Sequence, residues 1–354
     1  MRSALPAIIL VCLVGPVIAS SGDRNHAFQW CVANSMAQQC HPATKFSSHP
    51  PTWQTLALRL TRWSCEDDCM YHCTHVMTNK ALAEKRRVEQ FHGKWAFWRL
   101  WGMQEPASVL FSLLNLYAHI RGGQKLQRRI PRWHPMKPYY LGFTLSNINL
   151  WIWSAVFHTR GERIAWSNVT FSELVADKPL TEKLDYFSAA FAMLCGLFYT
   201  VVRLFHLYNT PRTTVRHRML IPWAALCTLL FVAHVSYLML LPRFDYGWNM
   251  KVNVTVGLAY NLLWMSYALP YPPYSRFLGV SNTHRPRYVY VPLLLGMAMI
   301  AAVSLEIFDF PPIYRAIDAH SLWHLATVPI IVFWYRFLLH DALEPSWKEA
   351  DKSS

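Results

Sequence analysis

The chain has 354 residues and a formal net charge of +14, with 15% charged and 53% hydrophobic side chains. Soluble domains average about 25% charged residues, so this composition excludes a disordered chain and argues against an ordinary cytosolic enzyme. The 16 Trp, 17 Tyr and 19 Phe suit a multi-span membrane protein with aromatic residues at its interfaces.

Met1-Arg2 precedes an apolar run over 4–18, and small residues (Ala-Ser-Ser-Gly) occupy 19–22. This order predicts a secretory signal peptide over 1–20, cut between Ala19 and Gly22. The run is short and broken by Pro6 and Pro16, which disfavours an uncleaved anchor. The compartment beyond it permits disulfides.

Residues 21–94 are polar and contain no stretch able to span a bilayer. They read as a small lumenal domain with five candidate disulfide cysteines: Cys31, Cys40, Cys65, Cys69 and Cys73. The spacing Cys65-x3-Cys69-x3-Cys73 also suits zinc, but disulfides fit the compartment better. Five is odd, so one thiol is left over, and spacing does not give the pairing.

Seven apolar segments follow, over 95–120, 139–158, 184–208, 219–241, 250–269, 288–308 and 317–340. Each is close to the roughly 20 residues that cross a bilayer. The first is the least clean, because Arg99, Gln104, Glu105 and Pro106 interrupt it. The fold expected is an all-α, seven-transmembrane helix bundle over 95–340, followed by a cytosolic tail over 341–354. Loops 121–138, 209–218 and 270–287 hold twelve basic residues and no acidic ones. The alternate loops contain Glu162, Glu173, Asp177, Glu182, Asp245 and Asp309. The positive-inside rule therefore puts the N-terminus in the lumen and the C-terminus in the cytosol. The net charge is topological, and no nucleic-acid partner is expected. Asn168-Val-Thr170 is a glycosylation sequon in a lumenal loop.

Ionisable groups inside spans are costly and point to function. Ser154 and His158 end the second segment, Asp185 opens the third, and His320 and His324 open the seventh. Spacing of four places each Ser/His and His/His pair on one helix face. The second segment runs toward the lumen, whereas the third and seventh run away from it. All five side chains are therefore expected at one depth beneath the lumenal leaflet. Three imidazoles with an open fourth position are the ligand set of a catalytic zinc. A carboxylate beside such a site can take a proton from water, and a hydroxyl can stabilise an oxyanion. His234 is expected to hydrogen-bond a neighbouring helix. Glu105 and Asn115 read as packing or site-lining groups, with packing favoured, and His119, His206 and His340 lie toward the far end.

Ser154-x3-His158, Asp185 and His320-x3-His324 resemble the pattern of the CREST superfamily of seven-span hydrolases, which includes alkaline ceramidases and adiponectin receptors. Longer stretches narrow the likeness: Gln90-Phe-His-Gly-Lys-Trp95, Gln104-Glu-Pro-Ala-Ser108, Phe157-His-Thr-Arg160, Thr181-Glu-Lys-Leu-Asp-Tyr-Phe187 and Asp318-Ala-His-Ser-Leu-Trp-His324. These are similar to the post-GPI-attachment-to-proteins factor 3 family over nearly the whole mature chain. The resemblance implies a Golgi membrane hydrolase that removes the sn-2 acyl chain of GPI-anchored proteins, with membrane lipid as its substrate. It implies Zn2+ on His158, His320 and His324, with Ser154 and Asp185 beside the water. Two departures stand out: the loop over 161–180 is longer than in the family, and Ser35 replaces a common cysteine. A non-catalytic seven-span receptor or scaffold, a ceramidase-like amide hydrolase, and residence in the endoplasmic reticulum are the alternatives.

Overall fold

The computed structural model describes residues 20–40, 52–160, 180–210, 213–241, 244–281 and 283–347. The expected signal peptide, the sequon at Asn168 and nearly all of the long 161–180 loop lie outside them. The described residues fold as helices, without a strand beyond isolated bridges.

Three helices make the N-terminal region: α1 (His26–Gln39), α2 (Thr52–Leu60) and α3 (Cys65–Ala83). Asn25 caps α1 by accepting from the Ala27 amide. Ser64 and Asp67 form a reciprocal capping box that starts α3, satisfying amides that a helix N-terminus leaves unpaired. Disulfides Cys31–Cys73 and Cys40–Cys65 staple α1 to α3. Cys69 is the thiol left over, buried and 3.8 Å from Cys40 Sγ.

The remaining helices are α4 (Pro106–Arg129), α5 (Lys137–Thr159), α6 (Leu180–Leu204), the short α7 (Thr214–His217), α8 (Leu220–Leu240), α9 (Tyr246–Met265), α10 (Val291–Ile307) and α11 (Ala319–Ala342). Each of the seven expected apolar segments falls on one long helix. Among the described residues, three stretches are long and apolar enough to cross a membrane: Leu180–Leu204, Thr214–Leu240 and Ala319–Ala342. Val291–Ile307 is a shorter apolar helix. The order of packing is α4, α5, α6, α9, α10, α11, and α11 returns to α4, so six helices close a ring. Helix α8 packs on α6 from outside and buries only Cys227, His234 and Leu238. His234 Nε2 lies 3.3 Å from Asn249 Oδ1 on α9, the inter-helix bond expected of it.

Two boundaries differ from the sequence reading. The first bundle helix begins at Pro106 rather than near 95, because proline's missing N–H is harmless at the first helical position. Residues 95–105 instead run across the N-terminal region, where Trp63 Nε1 donates to Gly102 O at 2.8 Å. The expected tail over 341–354 starts inside α11, because Asp341 is needed in the core. Its carboxylate takes both prongs of Arg203 at 2.7 Å and accepts from Tyr140 and Tyr267 hydroxyls. Arg203 and Asp341 are fully buried, and the Arg203 guanidinium lies against both the Phe277 and Trp347 rings. Around them Tyr199, Trp264, Trp334 and Phe337 form an aromatic core at this end of the ring.

The opposite end carries the N-terminal region as a cap. Arg160 pairs with Asp67 at 2.5 Å, and Trp98 N donates to Arg315 O at 2.9 Å. Gln90 and Trp95 both donate to the Asp309 carboxylate.

Candidate active site

Helix direction gathers the site. The C-terminal end of α5 and the N-terminal end of α11 meet under the cap, bringing His158, His320 and His324 together. One ring nitrogen from each lies within 4.8 Å of one from each of the others. His158 Nε2 and His320 Nε2 are 3.2 Å apart. Asp318 caps α11 through a reciprocal pair with Ser321, so both histidines sit in the first turns of a fixed helix.

Every imidazole is also held from behind. His158 Nδ1 donates to Glu105 Oε2 at 2.7 Å and His320 Nδ1 to Glu306 Oε2 at 2.6 Å. His324 Nδ1 meets Ser112 Oγ at 3.0 Å. Nδ1–H held by a carboxylate leaves Nε2 as the bare lone pair, the arrangement that metal-binding histidines use. Two such lone pairs at 3.2 Å repel unless a proton or a metal ion lies between them. Nitrogens bound at about 2.0–2.1 Å to a tetrahedral zinc stand about 3.3 Å apart, so the spacing fits that ion.

Glu105 corrects the sequence reading, which took it for a packing group. Its amide donates to His158 O at 3.1 Å, and that of Gln104 to Thr159 O at 2.9 Å. The strand entering α4 thus satisfies carbonyls that the end of α5 leaves open, and the bonds deliver the Glu105 carboxylate beside His158. Glu306 and Ser112 were not singled out in the sequence. Asn115 is a packing group as expected: its amide donates to His324 O at 2.7 Å and to Phe111 O at 3.0 Å.

Ser154 lies on the face of α5 that bears His158 and is 3.1 Å from Ser112 Oγ, one hydroxyl removed from His324. Asp185 lies near the start of α6 at the same end of the bundle, and its charged neighbours include His320, Lys94, Glu105 and Glu182. Trp151 sets its edge on the His324 ring with centroids 5.2 Å apart. Its Nε1, with Ser108 Oγ on α4, is buried without a hydrogen-bond partner among the described residues. Such orphans are rare in a finished interior and suit groups kept for a substrate. His119 instead bonds the Tyr335 hydroxyl, and His206 sits at the far end with Tyr208 and Ser275.

Comparison with known proteins agrees in breadth. The Per1-like family model matches residues 55–342. The chain is 38% identical to the protein PER1 homolog of Schizosaccharomyces pombe over 91% of this chain and 87% of that one. It is 35% identical to a Mus musculus protein named GPI-specific phospholipase A2-like PGAP3, over 97% and 95% of the two chains. A Drosophila melanogaster protein named post-GPI attachment to proteins factor 3 is 36% identical over 94% and 93%. No solved structure gives a significant match.

Proposed function

The chain belongs to the Per1-like family, and on that premise we propose that it hydrolyses the sn-2 acyl ester of GPI-anchored proteins, remodelling their lipid in a secretory-pathway membrane. The observation that carries this reading is the convergence of three imidazoles whose Nδ1 atoms are all held by partners, in a chain whose relatives bear phospholipase names.

His158, His320 and His324 would hold a Zn2+ through Nε2, with Glu105, Glu306 and Ser112 fixing the rings. The chemistry such an ion supplies is a water with a pKa of about 7 and polarisation of the ester carbonyl. Asp185 takes the proton of the attacking water and returns it to the departing glycerol oxygen, which leaves as the alcohol beside a free fatty acid. Ser154 donates to the carbonyl oxygen as negative charge grows there, and the unpartnered Ser108 and Trp151 groups line the same space.

Helices α4, α5, α6, α8, α9, α10 and α11 each cross the bilayer, giving seven spans. The histidine end faces the lumen, where Asn168 is glycosylated, and the C-terminus faces the cytosol. A lumenal site suits the substrate, since GPI anchors occupy that leaflet and an ester carbonyl sits where water reaches it. The membrane is that of the Golgi. A cleft of about 1030 Å³, lined in part by Arg86, Arg87, Trp95 and Phe308, begins one residue beyond Glu306 and gives a bulky headgroup room.

The test is lipid mass spectrometry of GPI anchors from cells lacking the protein and re-expressing it. Wild type restores anchors without the original sn-2 chain. His158→Ala and His320→Ala insert normally but leave that chain in place. Sn-2 deacylation by a well-expressed double variant would remove the mechanism.

A further inference from the structure

Lys94 reaches the site from the cap and has no part in the scheme above. It ends a two-residue hairpin: Phe91 and Lys94 exchange backbone hydrogen bonds of 2.8 and 3.0 Å. His92 and Gly93 both adopt left-handed φ, 54° and 79°, as a tight hairpin turn of this type requires. The start of the described chain clamps the turn from outside. Gly93 N donates to Ser20 Oγ and His92 N to Asp23 Oδ1, both at 2.7 Å, and Gly22 N donates to Gln90 O. Gly22 has no room for a side chain, since a Cβ would lie 2.6 Å from the Phe91 ring.

So held, the Lys94 side chain is only 17% exposed and ion-pairs with Oε1 of Glu105, itself 6% exposed. The ammonium also lies 4.3 Å from the centroid of the Phe157 ring, a favourable cation–π arrangement. The other oxygen of Glu105 holds His158. One ammonium therefore touches the residue before His158 and the carboxylate behind it.

We propose that Lys94 is a positioning residue for metal binding: it locks the Glu105 carboxylate, which aims Nε2 of His158 at the ion. The proposal rests on the metal reading of the site. A buried carboxylate with one oxygen unpaired carries a large desolvation cost and is free to turn away from the ring. Lys94 removes both problems by occupying that oxygen. An outer partner of this kind commonly changes metal affinity by about 10–100-fold.

The experiment is zinc titration against a competing chelator with the full-length protein in detergent. Lys94→Met weakens zinc binding about 10–100-fold, and Lys94→Arg recovers most of it. Asp67→Asn, which loosens the cap at Arg160 without touching the histidines, leaves zinc affinity unchanged. Lys94→Met/Glu105→Gln removes both buried charges, so it folds where the single variant fails, and it too binds zinc weakly. Wild-type affinity in the folded Lys94 variants overturns the proposal alone, as does equal weakening by Asp67→Asn. Absence of stoichiometric zinc from the wild type overturns the metal reading and this inference together.

Discussion

His75 shows how one side chain ties the cap to the bundle. Its Nε2–H donates to Phe97 O at 3.0 Å, and Arg315 donates to its Nδ1 at 2.7 Å, a bond that requires the neutral ring. The Trp98 indole stacks on it at 4.2 Å. Burial, followed by the Arg315 charge, pushes His75 down from 6.5 to about 4, with His72 and Arg99 adding smaller contributions of the same sign. The unfolded state therefore binds a proton that the folded state refuses between those values. The stability His75 contributes is present above pH 6.5 and is lost progressively as pH falls toward 4. Thermal unfolding of wild type against His75→Gln across that window should show the gap between them shrinking on acidification. A gap that does not change with pH would rule out this role.

At the scale of elements, α1 and α3 form an antiparallel pair whose sulfurs follow one another by turns. Cys31 bonds Cys73, and Cys40 bonds Cys65. Ser35 and Cys69 fall one turn inward on their respective helices, with Ser35 Oγ 3.7 Å from Cys73 Sγ. Ser35→Cys should therefore close a third bridge to Cys69, read as the loss of a free thiol in peptide mapping and a higher melting temperature. A variant that keeps Cys69 alkylatable would disprove the pairing. This is also where reading from sequence reached its limit. The cysteine spacing showed a stapled region and an odd thiol but not the partners, because pairing depends on how two helices face each other. The histidines were legible because spacing of four sets a helix face and alternating helix direction sets the end of the bundle. The same directional argument reaches Glu105 and Glu306, yet carboxylates at span ends look like interfacial groups. Only the contact of α4 with the end of α5, and of α10 with the start of α11, reveals them as partners of His158 and His320. Ser112 is harder still, being a serine within a long helix that nothing in its neighbourhood distinguishes. Lys94 carries no signal of its own in the sequence, since only the path of residues 95–105 brings it onto Glu105.

At the scale of the molecule, the two ends of the ring hold different chemistry. The end remote from the histidines is closed, with Arg203 and Asp341 satisfying each other in full inside an aromatic shell. The histidine end instead brings three imidazoles together with Ser108 Oγ and Trp151 Nε1, both unpartnered among the described residues. Asp341→Asn should cost about 3–5 kcal/mol, because it strands a buried guanidinium. Replacing both members with apolar residues should restore much of that loss. Detergent melting curves of the single and double variants test this, and a single variant as stable as wild type would refute it.

The closure of α11 on α4 has a consequence for the timing of synthesis. His158 and its Glu105 support leave the ribosome with α4 and α5, whereas His320 and His324 follow only with α11. A chain that still lacks α11 cannot assemble the triad, so an ion held by all three imidazoles could be taken up only once that helix is made. A nascent molecule halted before α11 would carry His158 alone of the three.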